Sequence, residues 1–270
     1  ISFHDDVGFG AGTTNQFFDK MSLEFCKKRH RLWRRDDEDD KESIYVKNKQ
    51  GLFPYATANS RYMHVLGLFV AKSIQMQQVI DIPFNPAFFD LAAGRTIKME
   101  DVDKQLAQGL YHKTAEDSIV EIEQPFTIVI EEKTFNLVKN GENILVTHEN
   151  FTKYVRAEED NVFGKHVKKK IDKFVDGFAE VLDPIFLKMF SGEEMIKILN
   201  GSKEMLTIEN MSKFIVIDTG YDDDAIQIQY LKEILSEFNF DDQKNFIKYV
   251  TGSAYLPYGG LEVLDPSIKI

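Results

Sequence analysis

Cys26 carries the only thiol in the 270-residue sequence, and it is therefore the first candidate for a nucleophile. The basic residues Lys27, Lys28 and Arg29 follow it and could lower its pKa, which would favour the reactive thiolate. The surrounding pattern predicts a position in the middle of a helix, with no helix start and no base beside it. Because a nucleophile needs such an activating group, the sequence favours a structural, partly buried role for Cys26.

Two further patterns could offer ligand-binding chemistry. The glycine-rich segment at residues 8–12 lacks both the Gly-Lys-Ser/Thr of a P-loop and the spacing of a dinucleotide-binding loop. A nucleotide-binding enzyme is kept only as a minor hypothesis, which measurable ATP or GTP binding would support. The three aspartates at residues 222–224 lack the glycine and glutamate of a calcium loop, and the six histidines are scattered. No metal site and no cofactor is predicted.

The composition restricts the class of protein. Hydrophobic residues make up 43% of the sequence, which predicts a folded chain with a substantial core. The net charge of −11 disfavours nucleic acid as a partner, and the basic runs at residues 27–31 and 165–170 are interpreted as solvated helix faces. No apolar stretch is long enough to span a membrane, so no membrane contact is predicted. A single cysteine excludes an internal disulfide and fits the cytosol or the nucleus.

Helical periodicity dominates the sequence, and one strand-like stretch interrupts it. A first helix, ended by the acidic run at residues 36–40, is expected to bury one stripe: Phe17, Met21, Phe25 and Leu32. A helix after residue 224 is expected to bury another: Ile226, Leu231, Leu235 and Phe238. Further helices are predicted from residue 59 or 60, within 86–110, over 165–182, after a capping box at 191–194 and over 241–250. Strands are predicted at residues 1–7, 126–130, 134–138 and 144–146.

Several segments, in the same order along the chain, resemble the HECT family of ubiquitin ligases. The Gly-Leu-Phe-Pro turn at residues 51–54 and the helix at residues 66–74 are similar to family landmarks. The Phe-Ile-Lys-Tyr-Val-Thr-Gly-Ser at residues 246–253, with Gly259-Gly260-Leu261 after it, resembles the family's C-terminal signature. The Asp-Ile-Pro at residues 81–83 is most similar to the ubiquitin-fusion-degradation branch.

The resemblance implies a bilobed α+β architecture. The N-lobe would span residues 1–218, with a small strand-bearing insertion at about residues 111–154 that docks the ubiquitin-conjugating enzyme. A hinge would follow at Asp218, Thr219, Gly220 and Tyr221, and residues 222–270 would begin the C-lobe. The family's catalytic cysteine lies downstream of the Gly-Gly motif, so Cys26 is not its counterpart, and this chain alone is expected to be inactive.

The resemblance also implies partners and a mechanism. The parent protein would accept ubiquitin from the conjugating enzyme as a cysteine thioester and pass it to lysines of protein substrates. Tyr154 falls where the family often places an aromatic docking residue, and Glu158 stands where a second aromatic can occur. A non-catalytic module that only docks conjugating enzymes is the alternative hypothesis.

Overall fold

The computed structural model of the chain describes residues 11–36, 42–115, 122–130, 133–202, 205–217, 220–222, 224–264 and 267–269. The strand predicted at residues 1–7 lies outside them, as does most of the glycine-rich segment, whose last residues already belong to a helix. The described residues form twelve α-helices and four short strands, so the prediction of a mostly helical α+β fold is confirmed.

The helices are α1 (Ala11–Phe25), α2 (Ser60–Gln75), α3 (Pro86–Ala92), α4 (Met99–Val102), α5 (Lys104–Ala115), α6 (Phe151–Phe163), α7 (Lys165–Ala179), α8 (Ile185–Met189), α9 (Gly192–Asn200), α10 (Ile208–Phe214), α11 (Ile226–Glu237) and α12 (Phe240–Thr251). The strands are β1 (Ile122–Pro125), β2 (Thr127–Ile130), β3 (Lys133–Asn136) and β4 (Leu145–Val146). None of the helices within these described ranges has the length and apolar character that a membrane crossing requires.

The helix pair α2 and α7 forms the centre of the fold. Asn59 caps α2, because its side chain accepts hydrogen bonds from the first backbone amides of the helix. Gly67 of α2 and Gly177 of α7 allow the two backbones to touch: a β-carbon at either glycine would overlap a backbone carbonyl oxygen of the other helix. Phe174 of α7 then packs edge-on against Phe88 of α3, with the ring centroids 4.8 Å apart.

The first helix ends earlier than its sequence predicts. It stops at Phe25, and the chain then turns through a short 3-10 helix at Lys28–His30. Arg31 follows with a left-handed backbone (φ 51°), which no α-helix can continue through. Leu32 is therefore buried by a separate segment, and the acidic run does not terminate α1.

The strands form two separate antiparallel pairs, β1 with β4 and β2 with β3. Phe126, between β1 and β2, donates its backbone N–H to the carbonyl of Gly141 (3.0 Å) and is buried. Gly141 lies so close to the Phe126 carbonyl that a β-carbon would overlap it, which explains the glycine in the Asn140-Gly141 turn. All four strands fall within the predicted insertion, and Phe126 packs into the same core as the helices.

Buried apolar residues form two clusters, which define two units of the molecule. The first cluster runs from Phe18 to Leu199 and the second from Leu206 to Ile268. We call the described residues of 11–202 the N-terminal unit and those of 205–269 the C-terminal unit. The two clusters divide between Leu199 and Leu206. The lobe boundary at residue 218 stays a prediction.

Candidate functional site

The two residues predicted to contact a conjugating enzyme, Tyr154 and Glu158, lie one turn apart on α6. The Tyr154 hydroxyl donates to Glu158 Oε1 (2.8 Å) and accepts from Gln124 Nε2 (2.8 Å). Their side chains are interior, because Tyr154 is 5% exposed and Glu158 is 3% exposed. The structure thus brings the two together and buries both. Their part in docking a conjugating enzyme stays a prediction.

Glu158 is a carboxyl group in an unfavourable environment. Burial raises its pKa, while the hydrogen bond from Tyr154 and the charge of Arg34 oppose that rise. Burial, followed by the charge of Glu158, raises the pKa of Tyr154 as well. The second carboxyl oxygen, Oε2, is buried and has no hydrogen-bond partner among the residues that the structure describes. Burying the Tyr154–Glu158 pair therefore costs free energy. Its contacts indicate that the pair positions neighbouring elements of the fold.

That positioning role concerns the strands. The Tyr154 ring packs edge-on against Phe126, with centroids 5.3 Å apart, and Gln124 belongs to β1. Tyr154 therefore contacts both β1 and the residue that follows it. The strands also expose apolar side chains: Val129 is 66% exposed and Leu145 is 56% exposed. Neither residue was predicted as a docking residue, although Val129 stands in the apolar Thr-Ile-Val-Ile of β2.

Cys26 lies directly after α1, not in the middle of a helix. It is buried, its backbone N–H donates to Leu23, and its carbonyl accepts from Val46 (2.8 Å). Burial, together with the nearby Asp81 carboxylate, raises the pKa of the thiol to about 12. Such a thiol is almost fully protonated at neutral pH, and the protonated form is a poor nucleophile.

The hinge predicted at residues 218–221 lies inside the C-terminal unit. Asp218 and Thr219 are outside the described residues, while Gly220 has a left-handed backbone (φ 120°) and Tyr221 is exposed. The second cluster contains residues on both sides of this turn, such as Ile215 and Leu235. A pivot at residues 218–221 would have to part that cluster, and the hinge stays a prediction.

The two units meet through polar contacts around a cavity. Lys248 of α12 pairs with Asp19 of α1 (2.8 Å), and Lys244 pairs with Asp81 (3.2 Å). Asn15 Nδ2 donates to the carbonyl of Thr251 (2.6 Å). The cavity has a volume of about 660 Å³, and both units line it. No group of three or more His, Cys, Asp or Glu side chains suited to a metal ion occurs in the part of the chain that the structure describes.

Comparison with known proteins places these features in a family. The family model described as HECT-domain (ubiquitin-transferase) matches residues 19–270. The chain is 30% identical to a probable ubiquitin fusion degradation protein of Schizosaccharomyces pombe, with 100% of this chain and 18% of that protein covered. It is 26% identical to the E3 ubiquitin-protein ligase UPL4 of Arabidopsis thaliana, over 100% of this chain and 21% of that protein.

A third relative is the ubiquitin fusion degradation protein 4 of Saccharomyces cerevisiae, which is 24% identical over 100% of this chain and 20% of its own length. The chain thus spans only 18–21% of the length of these three relatives. Since the family model covers nearly the whole sequence, from α1 to the last residue, the family assignment does not depend on any single motif. The chain belongs to the HECT-domain family of ubiquitin transferases.

Proposed function

We propose that this chain is the part of a HECT-type ubiquitin ligase that receives the ubiquitin-conjugating enzyme and does not itself carry the acceptor thiol. The family match over residues 19–270 supports the ligase assignment. Cys26 is the only cysteine in these 270 residues, and it is buried. Its burial supports the proposal that this chain does not carry the acceptor thiol.

The chemistry of the family requires an accessible thiolate. A ligase thiolate attacks the thioester carbonyl of ubiquitin, and the thiolate of the conjugating enzyme leaves. A substrate lysine amine then attacks the new thioester, forms an isopeptide bond, loses a proton and releases the ligase thiolate. A protonated, buried thiol such as Cys26 cannot carry out the first of these steps, so the ligase would use a cysteine outside these residues.

The strand pairs of the N-terminal unit are the proposed docking surface. The buried core of a protein interface is more apolar than its rim and is depleted of charged residues. The strands expose Val129 and Leu145, and the buried Tyr154 and Phe126 hold them in place. Tyr154 and Glu158 would therefore act on docking through the strands that they support.

Binding and charging are measured separately to test the proposal. Titration calorimetry with a panel of ubiquitin-conjugating enzymes is expected to identify at least one that binds, and Leu145→Asp should weaken that binding by roughly tenfold, about 1.4 kcal/mol. Ile185→Asp is the matched control, since Leu145 and Ile185 are each 56% exposed and Ile185 lies on α8. Val129→Asp provides a second variant at the same surface. Equal losses at Leu145 and Ile185 would contradict the assigned surface.

Charging is followed on non-reducing gels with the ubiquitin-loaded conjugating enzyme. We expect no reductant-sensitive ubiquitin adduct on this chain. A longer polypeptide that contains this chain and a further cysteine should form the adduct, and Cys26→Ser should leave it unchanged. An adduct that disappears in Cys26→Ser would show that Cys26 is the acceptor.

A non-catalytic docking module remains the second candidate, because the observed surface needs no thiol to bind a partner. Binding of the conjugating enzyme without an adduct on any longer form of the protein would favour it. The proposed location is the cytosol or the nucleus, which microscopy of the tagged protein would test.

A further inference from the structure

Two basic runs that are far apart in the sequence come together at the start of α2. The ring of His30, from the run at residues 27–31, lies 4.8 Å from the ring of Tyr62. Lys170, from the run at residues 165–170, donates through Nζ to the hydroxyl of Ser60 (3.1 Å). Ser60 is the first residue of α2, and Tyr62 lies in the same turn. One residue of each run therefore contacts the first turn of α2, which the sequence pattern did not reveal.

Four exposed cations at the starts of α2 and α7 lack an ion pair among the residues that the structure describes: Arg61, Lys165, Lys168 and Lys169. At the other run, the Glu24 carboxylate accepts hydrogen bonds from Lys27, Arg29 and the His30 ring. Those contacts lower the pKa of Glu24 to about 2. The four exposed cations thus stand without an ion pair among the described residues, in a chain whose net charge is −11.

The helices beneath this surface add to the positive potential. Neither α2 nor α7 has an acidic residue in its first turn, where the helix dipole favours negative charge. Arg61 and the lysines of α7 occupy those turns instead, which costs free energy through repulsion. A bound anionic group would relieve that repulsion. Tyr62, 41% exposed, adds an aromatic contact of the kind enriched at protein interfaces.

We propose that the surface formed by the first turn of α2, the start of α7 and residues 28–31 binds an acidic peptide segment of a protein partner. The surface is short, since residues 165–170 extend only about 9 Å along the helix axis. Beyond it the overall negative charge of the chain repels an extended polyanion, and charges act over about 8–10 Å at ordinary salt. A short run of Asp and Glu fits this geometry better than a nucleic acid. The inference does not depend on the docking surface at the strands.

Fluorescence anisotropy with a fluorescein-labelled oligoglutamate peptide tests the proposal on the whole chain. We expect saturable binding at low salt that weakens as the salt concentration rises. Lys168→Glu/Lys169→Glu should weaken it by roughly tenfold or more. The matched control is Lys188→Glu/Lys197→Glu, which makes the same charge change at exposed lysines of α8 and α9. The control should change binding by less than about twofold, because long-range charge effects are screened.

Two further variants test whether the mutated protein stays folded and whether α2 contributes to the same binding surface as α7. Lys168→Gln/Lys169→Gln removes charge without reversing it and should cause an intermediate loss, with an unchanged circular dichroism spectrum. Arg61→Glu, on the other helix, should also weaken binding, because the proposal places α2 and α7 in one surface.

Three outcomes would overturn the proposal. They are an absence of saturable peptide binding at low salt, an equal loss in the Lys188/Lys197 control, and tighter binding of a labelled single-stranded oligonucleotide of the same charge. If Arg61→Glu kept full peptide affinity, the proposal that α2 and α7 form one binding surface would be wrong.

Discussion

The N-terminal and C-terminal units are both built from amphipathic helices, but they differ in how much of each apolar helix face is buried. In α7, the apolar residues at helical spacing, Val167, Ile171, Phe174 and Phe178, are all buried. In α11, Ile226, Tyr230 and Ile234 also follow helical spacing, as does Phe238 directly after the helix, yet all four are exposed. Helix α7 packs against α2, α3 and α6, whereas α11 packs chiefly against α10.

This difference corrects one expectation from the sequence. Of the stripe predicted to be buried on α11, Leu235 is in the core, but Ile226 and Phe238 lie on the surface. The helix has apolar residues on two sides, and the C-terminal unit covers only the side with Ile228 and Leu235. Periodicity shows which residues share a face, but the neighbouring elements determine which face is covered.

The largest effect is expected where the N-terminal unit is most tightly packed. Gly177→Ala would force a β-carbon into the carbonyl oxygen of His64, and we expect it to destabilise the protein by about 3 kcal/mol. Gly109→Ala is the matched control in α5, because open space surrounds that glycine. It should be stabilising by about 0.5–1 kcal/mol through helix propensity. Urea denaturation measures both, and equal midpoints for Gly177→Ala and the parent would contradict the close α2–α7 contact.

Two neighbouring residues of α11 test the asymmetry within the C-terminal unit. Leu235→Ala should cost about 2 kcal/mol, because it opens a cavity in the second cluster. Ile234→Ala should cost less than about 0.5 kcal/mol, since Ile234 is exposed. Denaturation followed by circular dichroism compares the two, and a larger loss for Ile234 would mean that the stripe is covered in solution.

A gain in stability is expected from removing the buried charge of the N-terminal unit. Burial raises the pKa of Glu158, so the folded protein binds the proton more tightly than the unfolded chain does. Stability due to this group is therefore greatest at acid pH and falls as pH rises above the unfolded pKa of about 4.3. Glu158→Gln should raise the free energy of unfolding by about 1 kcal/mol at pH 8 and have little effect near pH 4. Thermal melts across this range measure it, and a destabilised variant at pH 8 would contradict the buried-charge interpretation.

The smallest effect is expected at the junction between the units. Lys248→Ala removes the ion pair with Asp19 and should cost at most about 1 kcal/mol, with faster hydrogen exchange in α12. Lys173→Ala is the control, because its pair with Asp176 is exposed on both sides and should contribute almost nothing. Unchanged exchange in Lys248→Ala would show that the ion pair does not hold α12 against α1.

Much of the fold could be predicted from local signals. The start of α2 was predicted near Asn59 or Ser60, and in the structure Asn59 caps the free amides of that helix end. The capping box of α9 at Ser191 and Glu194 was predicted from its residue pattern and is present. The end of α1 was not predictable in this way, because Lys27 adopts an extended backbone that its residue type does not indicate.

The sequence by itself determined the α+β class, the family and the positions of most helices and strands, since these depend on residue order and spacing. Only the tertiary structure decided that Tyr154 and Glu158 are interior, because their burial depends on strands and loops that pack over α6. It also decided that one residue of each basic run contacts the first turn of α2, and that the apolar cores divide between residues 199 and 206. Spacing along one segment fixes which of its residues share a face. Burial, local pKa and shared surfaces depend on neighbours that are distant in the sequence, and these meet only when the chain is folded.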